Sequence, residues 1–295
     1  MPAKIISGTE VAKQIREELK REIDSLKAQH NLVPGLATVL LGDDPASRSY
    51  VAGKEKTALA LGLYSERINL PAETTQEQLL TLIKRLNQDP KIHGILVQLP
   101  LPKHIDENKV LYTIIPQKDV DGFHPVNLGK LLIGDPDFIP CTPYGIQQLL
   151  VRSGIKIDGA EVVIVGRSNL VGKPMANILL QKKEGANATV TICHTGTRDI
   201  KAHTLKADIL IVAAGKPNSV TADMVKDGAV VIDVGVNRIG KTAEGKDILV
   251  GDVDYDKIKE KASFITPVPG GVGPMTITML MVNTVKAAKL AAGLS

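Results

Sequence analysis

Short aliphatic runs recur along this chain, and stretches of helical period separate them. "LATVLLG" (36–42), "ERINL" (66–70) and "GILVQLPLP" (94–102) read as strands. Helices over 46–62 and 75–88 lie between them, the second ended by Asp89-Pro90. A helix over 8–29 comes first: Ser7-Gly8-Thr9-Glu10 reads as a capping box, and Val11, Ile15, Leu19, Ile23 and Leu26 follow at helical spacing. Another helix is expected around 106–113. A second series begins further on, with strands at 161–166, 188–194, 207–215 and 229–236 and a helix over 172–183 between the first two. Strand–helix alternation is the grammar of α/β folds with parallel sheets. The pattern predicts two α/β domains flanking a cleft, the second a Rossmann-like parallel-sheet domain. The Pro-, Gly- and Asp-rich segment 116–142 reads as a connector or active-site loop, followed by a helix over 143–153. "PVPGGVGP" (267–274) reads as a second such loop, before a final apolar helix over about 275–291.

Composition narrows the function classes. With no Trp and 3% aromatic residues in 295, the core must be aliphatic, and the ring platforms that stack nucleic-acid bases are scarce. The net charge of +4 comes from Lys and Arg spread along the chain, which suits anionic small molecules or an ordinary solvated surface. Cys141 and Cys193 form no C-x-x-C, and no His pair has ligand spacing, so the expectation is reduced, structural thiols and no metal. The N-terminus carries no signal-peptide pattern, and no apolar run approaches the roughly 18 residues that span a bilayer. A cytoplasmic protein with no nucleic-acid or membrane partner is expected.

"VVIVGRSNLVGKP" (162–174) carries the first chemical signal. A parallel strand that ends in Gly and leads into a helix presents backbone N–H groups at the helix N-terminus, where phosphate binds. Gly166 supplies the turn, and Ser168 adds a hydroxyl. A plain strand–helix turn would have the same outline. The next strand chooses between cofactors. NAD sites usually carry a carboxylate at its end for the ribose 2′-OH. Here it ends Cys193-His194-Thr195-Gly196-Thr197-Arg198, with hydroxyls and an Arg instead, and Arg167 sits in the turn itself. The preference is for NADP.

In the first half, Tyr50 and Lys54 share one face of the helix 46–62. On a helical wheel Val51, Ala58, Leu59 and Gly62 define the buried side, with Lys54 at its margin and Lys56 toward solvent. Glu55 also projects into the apolar arc. A lysine at a buried margin has a lowered pKa and serves as base or proton relay, although a surface lysine with its stem laid along the helix would occupy the same place. Gln98 lies near the C-terminal end of its strand, where open α/β sheets bind ligands. Asp119 and Asp121 precede a Gly, and either could bond a nitrogen-rich ring or merely form a turn.

"PASRSYVAGKEK" (45–56), "VQLPLP" (97–102), "DVDGFHP" (119–125), "GRSNLVGKP" (166–174), "CHTGT" (193–197) and "PGGVGPMT" (269–276) resemble, in this order, the bifunctional methylenetetrahydrofolate dehydrogenase/cyclohydrolase family. The resemblance spans nearly the whole chain. It implies oxidation of 5,10-methylenetetrahydrofolate with NADP and hydrolysis of the methenyl product to 10-formyltetrahydrofolate, steps of one-carbon metabolism that serve purine biosynthesis. It also implies a homodimer. The domains would be 1–142, folate-binding and completed by the helix 275–295, and 143–274, NADP-binding. Carried over by motif, Lys54 is the essential lysine and Tyr50 stacks on the folate. Gln98 is the lysine's partner, and Asp121 binds the pterin. Val97, Leu99, Pro269, Gly270 and Gly273 complete the substrate contacts. Cofactor contacts fall on Gly166, Arg167, Ser168, His194, Thr195, Val236 and Thr276. Two departures stand out: Thr57 where the family usually has Ala, and a connection at 181–188 a few residues longer than usual. No G-x-x-x-x-G-K-[ST] loop is present.

Two rival readings remain. Another two-domain NAD(P)-dependent dehydrogenase would not need Tyr50, Lys54 and Gln98 to converge on a planar ligand. A non-catalytic dinucleotide sensor would not need to keep Lys54, Gln98 and Asp121.

Overall fold

A computed structural model describes residues 2–242, 244–245 and 247–294. In chain order the elements are β1 (Lys4–Ile5), α1 (Gly8–His30), β2 (Gly35–Leu41), α2 (Pro45–Leu61), β3 (Tyr64–Leu70), α3 (Gln76–Gln88), β4 (Gly94–Val97) and α4 (Glu107–Thr113). Then follow α5 (Pro125–Ile133), α6 (Cys141–Arg152), β5 (Glu161–Val165), α7 (Gly172–Leu179), β6 (Thr189–Cys193), α8 (Ile200–Thr204), β7 (Ile209–Val212) and β8 (Val230–Asp233). The chain closes with β9 (Asn237–Lys241), β10 (Asp247–Val250), α9 (Tyr255–Lys259), β11 (Phe264–Ile265) and α10 (Val272–Ala291). They form two compact units, Gln14–Cys141 with Ile277–Ser295 and Met1–Lys13 with Thr142–Thr276.

The unit Gln14–Cys141 with Ile277–Ser295 is built on a three-stranded parallel sheet in the order β3-β2-β4. The central strand β2 is buried along its whole length, which is why it reads as an unbroken aliphatic run. Leu79, Ile83 and Leu86 of α3 recur at helical spacing and pack with Val39, Ile95 and Val97 of the sheet. A capping box starts α3: Thr75 Oγ1 accepts from Gln78 N, and Gln78 Oε1 accepts from Thr75 N. Asp44 caps α2 by accepting from Ser47 N at 2.8 Å, and Gly62 ends it in the left-handed conformation.

The other unit carries a six-stranded sheet in the order β1-β11-β8-β7-β5-β6, parallel at every pairing. Its interior is the expected aliphatic core, with Val163, Val165, Leu210, Val212, Val231 and Ile265 on one face.

Several boundaries differ from those read in the sequence. β4 stops at Val97, because Pro100 and Pro102 cannot donate to a ladder. α7 stops at Leu179 rather than 183, and the turn beyond it is held by Gln147 Nε2 donating to Gly185 O at 2.8 Å. The segment 116–142 is not all loop. It contains α5, with Pro125 at its first position, His124 Nδ1 accepting from Val126 N, and Gly134 closing it at φ 90°. α10 begins at Val272, inside the expected Pro/Gly loop, since Pro is tolerated in a first helical turn. β1, β11 and the β9–β10 hairpin had no sequence signal.

Candidate active site

α2 buries Ser47, Val51, Lys54, Ala58 and Leu61, one continuous row at helical spacing. This corrects the wheel: Leu59 is 57% exposed and Gly62 is exposed, while Lys54, at 4%, lies in the buried row rather than at its margin. Glu55 does not enter the core; it pairs with Arg67 at 3.3 Å. Lys56 faces solvent, as expected.

Three groups meet Lys54. Its Nζ donates to Gln98 Oε1 at 2.9 Å. The same ammonium lies 4.5 Å from the centroid of the Tyr50 ring. Asp121 interacts with it electrostatically. Gln98 is itself fixed: its backbone N–H donates to Val39 O at 2.8 Å, and its Nε2 donates to Leu99 O at 2.6 Å. Both ends of the amide are thereby assigned, so the oxygen faces the lysine. Val97 is buried as the last residue of β4, and Leu99 is half-buried beside Gln98. Burial lowers the Lys54 pKa, against the raising influence of Asp121 and Cys141. For Asp121, burial raises the carboxyl and Lys54 lowers it.

The two aspartates before Gly122 have different surroundings. Asp119 is buried and accepts from the backbone N–H groups of Gly122, Phe123 and His124 and from Asn127 Nδ2 at 2.8 Å. It organises the loop. Asp121 is half-buried, beside Lys54 and the Cys141 thiol. Sequence reasoning missed the supports of this loop. Asn283 of α10 is buried and donates to Val120 O at 2.8 Å and Ile139 O at 2.9 Å. Cys141 Sγ lies 3.4 Å from Val120 O. Asn283 sits more than 160 residues from the loop in sequence, so only a buried polar residue in an apolar helix could have hinted at it. Thr57 adds a bond within α2, its Oγ1 donating to Gly53 O at 2.8 Å.

In the second unit the sheet's carboxyl edge gathers the other candidates. Gly166, at φ 133°, follows β5, and a Cβ there would stand 2.2 Å from Ala213 O. A Cβ on Gly172 would stand 2.1 Å from Gly166 O. One glycine permits the turn and the other lets α7 approach it, the division of labour of dinucleotide-binding turns. Arg167 and Ser168 are exposed, and Ser168 Oγ accepts from Val171 N at 3.0 Å, leaving its O–H to donate elsewhere. β6 pairs with β5 in register, Val165 beside Cys193, despite the longer connection at 181–188. The following turn is held by His194 Nδ1, which accepts from Gly196 N, and by Thr197 Oγ1, which accepts from His194 N. That leaves Thr195 exposed at its tip. The nearest following carboxylate, Asp199, caps α8 by accepting from Ala202 N. Val236, after β8, is 60% exposed. Pro269, Gly270 and Gly273 lie on the segment between β11 and the first turn of α10, where Thr9 N donates to Gly270 O. Thr276 is half-buried, its hydroxyl 2.9 Å from that of Thr142. Among the described residues no cluster of His, Cys, Asp or Glu could hold a metal, and no helix is long and apolar enough to cross a membrane.

Two family models cover the chain. The catalytic domain of tetrahydrofolate dehydrogenase/cyclohydrolase matches residues 6–121, and the NAD(P)-binding domain of the same family matches residues 140–292. The chain belongs to the tetrahydrofolate dehydrogenase/cyclohydrolase family. A family member from Syntrophus aciditrophicus, named bifunctional protein FolD, is 68% identical over 294 residues and the whole of both chains. The crystal structure of the bifunctional FolD methylenetetrahydrofolate dehydrogenase/cyclohydrolase of Campylobacter jejuni is 48% identical, with a TM-score of 0.91 over 98% of this chain and 99% of that one. The Trypanosoma brucei FolD, solved with NADP and an inhibitor, is 41% identical, with a TM-score of 0.93 over 99% of both chains. Within this family the NAD(P)-binding domain coincides with the sheet that carries Gly166, and the catalytic domain with the helix that carries Lys54.

Proposed function

We propose that Lys54, Gln98, Tyr50 and Asp121 are the folate-side machinery of an NADP-dependent methylenetetrahydrofolate dehydrogenase and methenyltetrahydrofolate cyclohydrolase. The enzyme oxidises 5,10-methylenetetrahydrofolate to the 5,10-methenyl cation, then hydrolyses that cation to 10-formyltetrahydrofolate. NADP supplies the hydride acceptor for the first step. The residues fit NADP: Gly166 lets the strand–helix turn form tight against Ala213, Arg167 and Thr195 are exposed on adjacent strand ends, and β6 ends without a carboxylate to repel a 2′-phosphate. Gly166, Ser168, His194, Val236 and Thr276 complete the cofactor contacts. Val97, Leu99, Pro269, Gly270 and Gly273 line the folate.

The two steps ask different things of the protein. Loss of hydride leaves a cation that the substrate's own nitrogen lone pairs stabilise, so alignment is the main need. In hydrolysis, water adds to the cationic carbon and the adduct loses a proton. The carbon–N5 bond then breaks as N5 takes a proton, and a second proton leaves the new formyl oxygen. A buried lysine of lowered pKa, held by an amide oxygen, suits those transfers. Tyr50 stacks on the ligand, and Asp121 pairs with pterin nitrogens. The single observation that carries this reading is Lys54 Nζ, buried and 2.9 Å from Gln98 Oε1. We take the working form to be a cytoplasmic homodimer, on the family resemblance. Methylenetetrahydrofolate and NADP⁺ supplied to the purified chain should yield NADPH and then 10-formyltetrahydrofolate. Failure to form NADPH would overturn the dehydrogenase reading, and methenyl-folate that persisted at its spontaneous rate would overturn the cyclohydrolase reading.

A further inference from the structure

We infer that Asp233 and Asp252 are positioning residues that fix the two loops bordering the dinucleotide, a role that rests on NADP binding to this unit. β7 and β8 are neighbours in the sheet, and each ends in a loop at its carboxyl edge. The loop after β7 abuts the Gly166 turn, as the close approach of Gly166 to Ala213 O requires. The loop after β8 carries Val236, which is exposed.

One carboxylate joins these loops. Asp252, fully buried, follows β10 in sequence. Its Oδ2 accepts from Ala214 N at 2.7 Å and Gly215 N at 2.8 Å. Its Oδ1 accepts from Asn237 Nδ2 at 2.8 Å, one residue beyond Val236. Asp233, the last residue of β8 and 1% exposed, sets the position of Asp252 in turn. Its Oδ1 accepts from Asp252 N at 2.8 Å and Gly235 N at 3.1 Å, and its Oδ2 from Val253 N at 3.2 Å. The space between is made to measure. A Cβ on Gly251 would stand 1.8 Å from Asp233 Oδ2, and one on Gly235 would stand 2.1 Å from Asp252 Oδ1.

Two adjacent buried carboxylates are a costly way to fill a core that is otherwise aliphatic. What they accomplish is specific: every partner named is an N–H group, and four of these lie on the two loops or on Asn237. Removing the link leaves the sheet intact but lets the loop beside Gly166 and the loop with Val236 move independently. Affinity for the dinucleotide depends on their being held in place beforehand.

The test uses the full chain and Asp252→Asn. An amide at 252 turns its NH₂ either toward the Ala214 and Gly215 N–H groups, breaking that link, or toward Asn237, which can answer with its own oxygen only by giving up its 3.2 Å bond to Gly251 O, so one link is lost whichever way it lies. NADP⁺ binding measured by titration calorimetry should weaken tenfold or more. Hydrolysis of supplied methenyl-folate, which needs no dinucleotide, should stay within about twofold. Unchanged NADP⁺ affinity in Asp252→Asn would overturn the inference. So would a parallel loss of both functions tracking a lowered Tm. Wild-type protein that fails to bind NADP⁺ would instead overturn the assignment of the cofactor to this unit.

Discussion

Lys54 stands one helical turn beyond Tyr50 and over its ring, with Nζ 4.5 Å from the ring centroid, while Gln98 Oε1 accepts its hydrogen bond at 2.9 Å. The helix supplies the ring and the ammonium, and β4 supplies the acceptor. The lysine is thus oriented from two elements before any folate arrives. Hydride transfer needs alignment and hydrolysis needs proton movement, so deleting the ammonium should separate them. Lys54→Met keeps the stem. It should abolish cyclohydrolase, at the roughly 10²–10⁴-fold typical of proton-transfer catalysis, while sparing at least part of the dehydrogenase. Methenyl-folate would then accumulate visibly in the spectrum. Lys56→Met, on the solvent side of α2, should do little. Normal methenyl-folate hydrolysis by Lys54→Met would remove Lys54 from the mechanism.

The same lysine should be a stability liability. Burial lowers its pKa from the ordinary 10.5, more than Asp121 and Cys141 raise it. The folded chain therefore binds fewer protons than the unfolded chain between the lowered pKa and 10.5, and in that window stability rises with pH. The contribution is fully present above 10.5 and lost as pH falls through the folded value. Lys54→Met lacks this pH dependence, so the stability gap of the variant relative to wild type should narrow toward pH 10. Chemical denaturation at a series of pH values reads this directly, and a gap that widens with pH would contradict it.

Cofactor choice should rest on Arg167 and Thr195, which are exposed on the ends of neighbouring strands. Arg167→Ala should raise the KM for NADP⁺ and leave that for NAD⁺ little changed. A charge-assisted contact of roughly 1.5–3 kcal/mol corresponds to a tenfold to hundredfold change. Initial rates with both dinucleotides decide the matter, and equal loss for the two would point to a general pyrophosphate contact.

How much of this was legible in the sequence depends on whether the physics was local. Buried parallel strands read as aliphatic runs, so β2, β5, β7 and β8 were found, and Gly166 announced its turn. Lys54 was misplaced on its helix because hydropathy cannot put a lysine in a buried row. Gln98, Asp121 and the Tyr50 ring make that burial tolerable, and two of these come from distant segments. The Pro, Gly and Asp content of 116–142 reads as loop and hides α5, in which Pro125 stands at the first position and Gly134 marks the end. β1 and β11 are two residues each, too short for any period to register. The β9–β10 hairpin is largely exposed and so lacks the alternation of a half-buried strand.

The neighbouring aspartates of the loop before Gly122 should separate structure from chemistry. Asp119 accepts three backbone N–H groups and Asn127 Nδ2, so Asp119→Ala leaves buried donors unsatisfied. Each such group costs about 1–3 kcal/mol, and Tm should fall clearly. Asp121 is half-buried, with Lys54 and Cys141 as its neighbours. Asp121→Ala should leave Tm within a few degrees of wild type, since it also removes a carboxyl that burial disfavours. Both activities should fall together, because both use the same bound folate. The folate dissociation constant, measured by equilibrium binding, should rise with them. If only hydrolysis fell and folate affinity held, Asp121 would act on Lys54 rather than on the pterin.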